Sequence, residues 1–260
     1  MTGERANKLF VAMPFHQKFD SRFSDIIKPA AIEAGFEDAY RSKEILSSNA
    51  IVTKILEGIA NSRMVLCDLS NDEKGRVNGN VLYETGVATT IREPHSVVLI
   101  RDQEPSEADF DIRGLTIKTP PEGKLTTPWL VERLKEALGE IDWSRSKRIE
   151  AIAHRLDEFC LLLINQYGRN PDGYNNFHVL GQPIEVRIAA QRLVDLGILW
   201  FATAREVRPL EFSYRWTTLA KDLMQYLNLP QLTLDEFRND KLRWERWQVG
   251  NELYLQSIGK

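Results

Sequence analysis

Asp68 follows the apolar run Met64-Val65-Leu66-Cys67. Glu84 comes after it across a polar loop, with residues 68–88 reading DLSNDEKGRVNGNVLYETGVA. Two carboxyl groups that meet in one cleft can divide the acid, base and nucleophile roles between them, because different surroundings set their pKa values apart. The apolar run has the length and composition of a buried strand. Asp68 is therefore expected at its carboxyl end, the edge of an open α/β sheet where ligands bind. Asn80 is suited to cap a helix that begins at Val81, its side-chain oxygen taking an otherwise unpaired backbone N–H. Glu84 then falls in the first helical turn or just past it, where the helix dipole favours the ionised carboxylate that a nucleophile or base requires. Taken singly, a strand-end aspartate is as often structural as functional, and a glutamate near a helix start more often decorates a surface. It is the pair that points to chemistry.

The elements needed to hold this pair are legible as an alternation. Leu9-Phe10-Val11-Ala12-Met13 is an apolar run stopped by Pro14, and Phe23, Ile26, Ile27, Ala30 and Ile32 fall near helical spacing between Ser21 and Ala34, with Gly35 as the stop. Ser48 or Asn49 can cap a second helix whose stripe is Ile51, Ile55, Leu56 and Ile59. Ser96-Val97-Val98-Leu99-Ile100 is another buried strand, and Leu115-Thr116-Ile117 a weaker one at an edge. Thr127 to Leu138 closes the unit as a helix, after which Ile141-Asp142-Trp143 is expected to begin something else. Strands alternating with helices predict a parallel sheet. The expected domains are residues 1–141 and 142–260.

Three separated strings in this first domain, Val11-Ala12-Met13-Pro14-Phe15, Asp68-Leu69-Ser70 and Asn78-Gly79-Asn80-Val81-Leu82-Tyr83-Glu84-Thr85-Gly86-Val87-Ala88, resemble the nucleoside 2-deoxyribosyltransferase family and its N-glycosidase relatives. The resemblance spans roughly residues 8–118, and its most specific part is Asn-x-Asn-Val-x-Tyr-Glu-x-Gly-x-Ala. It implies a flavodoxin-like (Rossmann-like) layout of the kind TIR domains also have. It further implies that Glu84 attacks the anomeric carbon of a sugar and that Asp68 manages the departing base. Met13, Pro14, Phe15, Arg41, Ser70, Asn78, Asn80 and Tyr83 would then line the substrate, a nucleoside, a nucleotide or an NAD-like molecule. Asn78 stands where the transferases often carry an aspartate. An amide can hydrogen-bond a hydroxyl but takes no proton, so hydrolysis or simple binding stands beside transfer. Related transferases complete their pockets with a neighbouring subunit, so a homo-oligomer is expected. An N-glycosidase with an appended interaction domain would suit an effector of bacterial antiviral defence. The alternative is a non-catalytic nucleotide-binding sensor.

Other chemistries find less support. With 43% hydrophobic and 27% charged residues and a formal charge of -3, the chain reads as an ordinary globular protein with no nucleic-acid or membrane signature. No glycine-rich phosphate loop follows the first strand, so nicotinamide redox chemistry is not expected and no cofactor is called for. His16, His95, His154 and His178 stand apart without metal-ligand spacing, and no metal is expected. Cys67 and Cys160 sit in apolar surroundings and read as buried thiols. No long apolar stretch suggests a leader or a membrane span, and the cytoplasm is the expected location.

Beyond residue 142, Arg148 to Tyr167 reads as one long amphipathic segment, and GRNPDGYNN breaks the chain. A helix from Pro183 to Val194, a stop at Gly197, a strand at Ile198–Phe201, a returning strand at Phe212–Trp216 and a helix from Thr217 to Leu227 follow the order of a winged helix. Its earlier helices are expected from the region around Phe177 to Gln182. Arg187, Gln191 and Arg192 on the central helix, with Arg205 and Arg208 in the wing, are the residues that would meet nucleic acid. Glu185, Asp195, Glu206 and Glu211 dilute that charge, so docking to a protein partner is the preferred use. A last helix is expected within residues 234–258, burying Trp244 and Trp247.

Overall fold

The computed structural model describes residues 6–41, 48–72, 75–103, 116–168, 182–203 and 212–229, with Leu232 and Glu236. The chain divides within one helix into two compact units, Glu4–Ser144 and Arg145–Lys260. Asp111, Arg113, His178, Arg205, Glu206, Arg208, Glu211, Trp244 and Trp247, and with them the last expected helix apart from Glu236, lie outside the described residues.

The first unit is a five-stranded parallel sheet in the order β2-β1-β3-β4-β5. Its strands are β1 (Ala6–Ala12), β2 (Asp38–Tyr40), β3 (Ser62–Asp68), β4 (Val97–Ile100) and β5 (Ile117–Lys118). This is the flavodoxin-like α/β order, in which the chain reverses direction across the sheet between β1 and β3 and ligands lie beyond the carboxyl ends there. The central register pairs Phe10 with Val65 and Ala12 with Cys67, and β4 then pairs Asp68 with Ile100. Side chains alternate along β3. Met64 and Leu66 join Phe19, Ile27, Leu130 and Leu134 in one core layer, and Val65, Cys67 and Leu69 join Ile55, Ile59, Val81 and Ala88 in the other. Helices α1 (Gln17–Arg22), α2 (Lys28–Ala34) and α5 (Thr127–Ala153) contribute to the first layer, and α3 (Ser48–Asn61) and α4 (Gly79–Ile91) to the second.

The expected helix of residues 21–34 is interrupted. It starts earlier, at Gln17, and a wider turn over Phe23–Ile27 separates α1 from α2. There the Lys28 N–H reaches Phe23 O, five residues back, instead of the usual four. Pro29 supplies the reason, since it has no N–H for the carbonyl of Asp25 and its ring crowds that turn. Gly35 ends α2 with φ 106°, a conformation that other residues rarely adopt. The helix expected to stop at Leu138 runs on as α5 to Ala153. Gly139 is its only breaker, and one glycine costs a helix only about 1 kcal/mol.

The second unit holds the end of α5, then α6 (Glu158–Tyr167), α7 (Ile184–Asp195), the antiparallel hairpin of β6 (Leu199–Thr203) with β7 (Phe212–Trp216), and α8 (Thr218–Tyr226). Ile149, Cys160, Leu163, Leu193, Leu199, Trp216 and Leu223 share its core. The order of helices and hairpin is that of a winged helix, in which the end of α5 and α6 precede α7; of the region around Phe177 to Gln182, expected to supply the earlier helices, all but Gln182 lies outside the described residues. The expected continuous segment 148–167 breaks at residues 154–157, where Asp157 caps α6 by accepting from the Cys160 N–H at 2.8 Å. No helix among the described residues is long and apolar enough to cross a membrane.

Gly58 of α3 marks the closest approach of helix to sheet, because a Cβ there would lie 2.5 Å from two ring atoms of the fully buried Phe10. Gly58→Ala should therefore destabilise the protein by about 1–3 kcal/mol in urea unfolding, as overpacked sites do. An unchanged midpoint would mean that α3 packs less tightly than described.

Candidate functional site

Asp68 ends β3 with its side chain on the α1 side of the sheet, completely buried. Its Oδ2 accepts from Arg22 Nη1 at 2.8 Å and its Oδ1 from the Ser70 N–H at 3.0 Å. The Arg22 fork also donates to Ser70 Oγ at 2.8 Å and to Asp102 Oδ2 at 2.7 Å, and the Asp102 N–H donates to that same Ser70 hydroxyl at 3.0 Å. One guanidinium thus ties α1 to the ends of β3 and β4. Burial works against its charge, but the carboxylates of Asp68 and Asp102 more than offset this and hold its pKa above the ordinary value. Lys18 adds a longer contact to Asp102 at 3.6 Å.

Glu84 approaches from the other layer. Val81, Glu84, Thr85 and Ala88 form the buried stripe of α4, and Glu84 is only 6% exposed. Among the described residues no hydrogen bond or ion pair offsets its burial, which alone pushes its pKa from 4.5 up to about 7. The helix start also differs from expectation. The cap is Asn78, whose Oδ1 accepts from the N–H groups of Asn80 at 2.9 Å and Val81 at 3.4 Å, so Gly79 opens the helix and Asn80 lies inside its first turn. Glu84 is consequently in the second turn, beyond the strongest part of the dipole, and desolvation prevails.

The two carboxylates therefore leave the sheet toward opposite layers, Asp68 to α1 and Glu84 to α4, and the division of labour between converging acids expected from the sequence is not what the geometry offers. Asp68 has both oxygens engaged, whereas Glu84 is a carboxyl group near neutrality. Cys67 lies next to both. Its thiol is pushed up to about 12, first by burial and further by the charges of Glu84 and Asp68, against a lowering hydrogen bond with Thr85, which makes it inert. Cys160 is raised to about 11, again chiefly by burial.

The other expected site residues separate into groups. Met13 is 3% exposed and belongs to the core layer of α1, and Pro14 beside it is buried. Phe15 is 52% exposed on the loop after β1, and its ring lies 5.6 Å from the Arg41 guanidinium at the end of β2. Tyr83 is 54% exposed on α4 and is not core. Ser70 is buried as a double acceptor, and Asn78 is spent on capping. His16 caps α1 through Nδ1, which accepts from the Lys18 N–H at 3.4 Å.

Arg22, Asp102 and Lys18 were not singled out from the sequence. The only signal was the alternation Lys18, Asp20, Arg22 directly after the first strand, charges too many for a segment that also buries Phe19. Among the described residues no group of three His, Cys, Asp or Glu side chains could hold a metal ion. A separate cleft of about 340 Å³ between β4, β5 and α5, lined by Val98, Lys118, Arg133 and Glu136, contains none of the expected site residues.

Compared with known proteins, the chain matches no protein-family model and no curated protein.

Two stability measurements probe this arrangement. Arg22→Met leaves Asp68 and Asp102 buried without their main cation and should cost about 3–5 kcal/mol in urea unfolding at pH 7. For Glu84, protonated in both states below about pH 4.5, burial carries no charge penalty there. Between about 4.5 and 7 the unfolded chain loses the proton while the folded one keeps it, so stability falls as pH rises and is lowest above 7. At about 1.4 kcal/mol per unit the penalty is on the order of 3 kcal/mol. Glu84→Gln should accordingly raise Tm at pH 8 and leave it nearly unchanged at pH 4.5, and equal effects at both pH values would show that burial does not shift this group.

Proposed function

We propose that the first unit is an N-glycosidase in which Glu84 acts on the anomeric carbon of a nucleoside, nucleotide or NAD-like substrate. The observation that carries this reading is a nearly buried carboxyl group without a counter-charge, on the helix that follows the strand next to the β1/β3 crossover. Breaking an N-glycosidic bond builds positive charge at the anomeric carbon. A carboxylate in a dry site stabilises that charge strongly, and the developing cation in turn favours ionisation of Glu84. Attack by Glu84 forms the C–O bond of a glycosyl-enzyme as the C–N bond breaks, and water or a second base then resolves it. The residues quoted above for the nucleoside 2-deoxyribosyltransferase family and its N-glycosidase relatives support the same reading, and it needs neither cofactor nor metal.

With Asp68 held by Arg22 and Ser70, the scheme has one available carboxylate instead of two. A purine or pyrimidine leaving as an anion needs a proton from an acid. A base that is already cationic in the substrate, as the pyridinium of an NAD-like molecule is, departs neutral and needs none. One carboxylate thus favours the NAD-like end of the substrate range. Asp68 is a positioning residue in this reading.

The near-complete burial of both carboxyl groups favours a second reading, a nucleotide-binding sensor without turnover. In either case we infer a cytoplasmic protein that works as a homo-oligomer and docks a protein partner through its second unit. Supporting this, α7 exposes Ile184 and Ile188, while Gln191 bonds Asp195 and Arg192 pairs with Asp157, an arrangement poorly suited to a phosphate backbone.

Incubation of the protein with deoxynucleosides, nucleotides and NAD should release free base, detected by chromatography, from at least one of them. Glu84→Gln should lower the rate at least about a thousandfold, and kcat/KM should rise with pH through about 7 as the nucleophile ionises. Release by Glu84→Gln at the wild-type rate would exclude Glu84, and no release by either protein from any compound would favour the sensor.

A further inference from the structure

Arg41 is the first residue beyond β2, at the carboxyl edge of the sheet, and its side chain is 7% exposed. Its Nη2 donates to Asp20 Oδ1 at 2.8 Å, and its guanidinium lies 4.4 Å from the centre of the Phe23 ring and 5.6 Å from that of Phe15. Nη1 is buried and, among the described residues, makes no hydrogen bond. Aromatic faces offset part of a cation's desolvation, but they do not fill an N–H donor as an oxygen does. A buried charged group with an unfilled donor is costly and uncommon, and completion by a ligand is one way in which such a group is retained.

Charge and hydrogen-bonding capacity differ at this edge. Lys18, Arg22 and Arg41 are matched by Asp20, Asp68 and Asp102 in ion pairs of 2.7–3.6 Å. Arg101, buried just after β4, donates to Asn71 Oδ1 at 2.8 Å. The α1 network thus has no surplus cation for a phosphate, which would also bring its charge next to Asp20. Among the described residues this network leaves two buried atoms without a hydrogen bond, the acceptor Asp102 Oδ1 and the donor Arg41 Nη1, and of these Arg41 Nη1 is the one that calls for an oxygen. An uncharged oxygen acceptor fills that need and leaves the charge balance intact. The exposed ring of Phe15 adds a flat apolar surface over the guanidinium, and heterocyclic bases stack on both phenyl rings and guanidinium planes.

We propose that Arg41 is a base-reading residue. Its Nη1 donates to the carbonyl oxygen of a planar heterocyclic base that stacks on the exposed face of Phe15 and meets the guanidinium edge-on, so the site selects bases bearing an oxo or carboxamide group. This rests on the reading of the sheet edge as an N-glycoside site and adds which part of the ligand Arg41 recognises.

The test is calorimetric titration of the whole chain carrying Glu84→Gln, so that no turnover is involved. Two probe pairs are used: 2′-deoxyinosine against purine 2′-deoxyriboside, which lacks the 6-oxo group, and nicotinamide riboside against pyridine riboside, which lacks the carboxamide. In at least one pair the carbonyl-bearing member should bind about tenfold more tightly, and Arg41→Met should abolish that difference. Because Arg41→Met takes the Arg41 ion pair from Asp20, the Asp20→Asn/Arg41→Met double variant, which removes both charges of that pair, serves if the single one does not fold. The proposal is overturned if neither pair differs, if none of the four probes binds, or if the difference survives in the Arg41 variants. It is equally overturned if inorganic phosphate binds and the Arg41 variants abolish its binding, which would mark an anion subsite. Carbonyl-dependent binding without base release by the wild-type chain would sink the glycosidase reading alone. Base release that is indifferent to Arg41 would sink this inference alone.

Discussion

The fork of Arg22 is the constraint on which the carboxyl edge of the sheet depends. A parallel sheet brings its strand ends together without regard to what they carry, and here β3 ends in Asp68 while Asp102 follows β4. Two carboxylates brought out of water side by side would repel, and burying them without a cation would be costly. Arg22 removes that conflict by spending one nitrogen on Asp68 and Ser70 and the other on Asp102. The same bonds fix the position of α1 at the start of the helical run from Gln17 to Ala34. The position of α1 in turn fixes Asp20 and, through it, Arg41. The edge is therefore a single electrostatic unit.

Against this neutralised layer, the opposite layer of the sheet leaves a carboxyl group uncompensated. Glu84 occupies a place in the buried stripe of α4 where an apolar residue would complete the packing, between Val81 and Ala88. Nothing in the folding of the domain requires an acid there. A group that costs stability and has no structural partner among the described residues is where a functional explanation is most economical, because natural sequences depart from local consistency mainly at working sites.

Much of the fold was legible because its signals are local. The apolar runs at residues 9–13, 64–67 and 97–100 are β1, β3 and β4, and the alternation of strand with helix was enough to make the sheet parallel. The readings that missed did so where one local signal was weighed against another. Pro29 widened a turn inside an otherwise helical pattern, Gly139 proved too weak to end α5, and Asn78 outcompeted Asn80 for the cap two residues earlier. Asn78 prevailed because its backbone is extended, with φ -67° and ψ 126°, and so can aim its side chain at the N–H groups that follow.

The candidate site was legible in its residues and not in its pairings. Asp68 and Glu84 could be named from their neighbours in sequence, but which layer each faces follows from strand parity and helix phase together. Asp68 shares the parity of Met64 and Leu66, and Glu84 shares the phase of Val81 and Ala88. Partners such as Arg22 and Asp102 are distant in sequence and were invisible for that reason. The consequence for mechanism is direct. An aspartate read in isolation is an acid waiting for a substrate, whereas the same aspartate bonded to a buried guanidinium is a fixed anion that orients other groups. Assigning chemistry to an ionisable residue thus requires knowing first what already holds its proton or its charge, and by that criterion Glu84, with burial alone acting on it, is the group the proposed reaction would use.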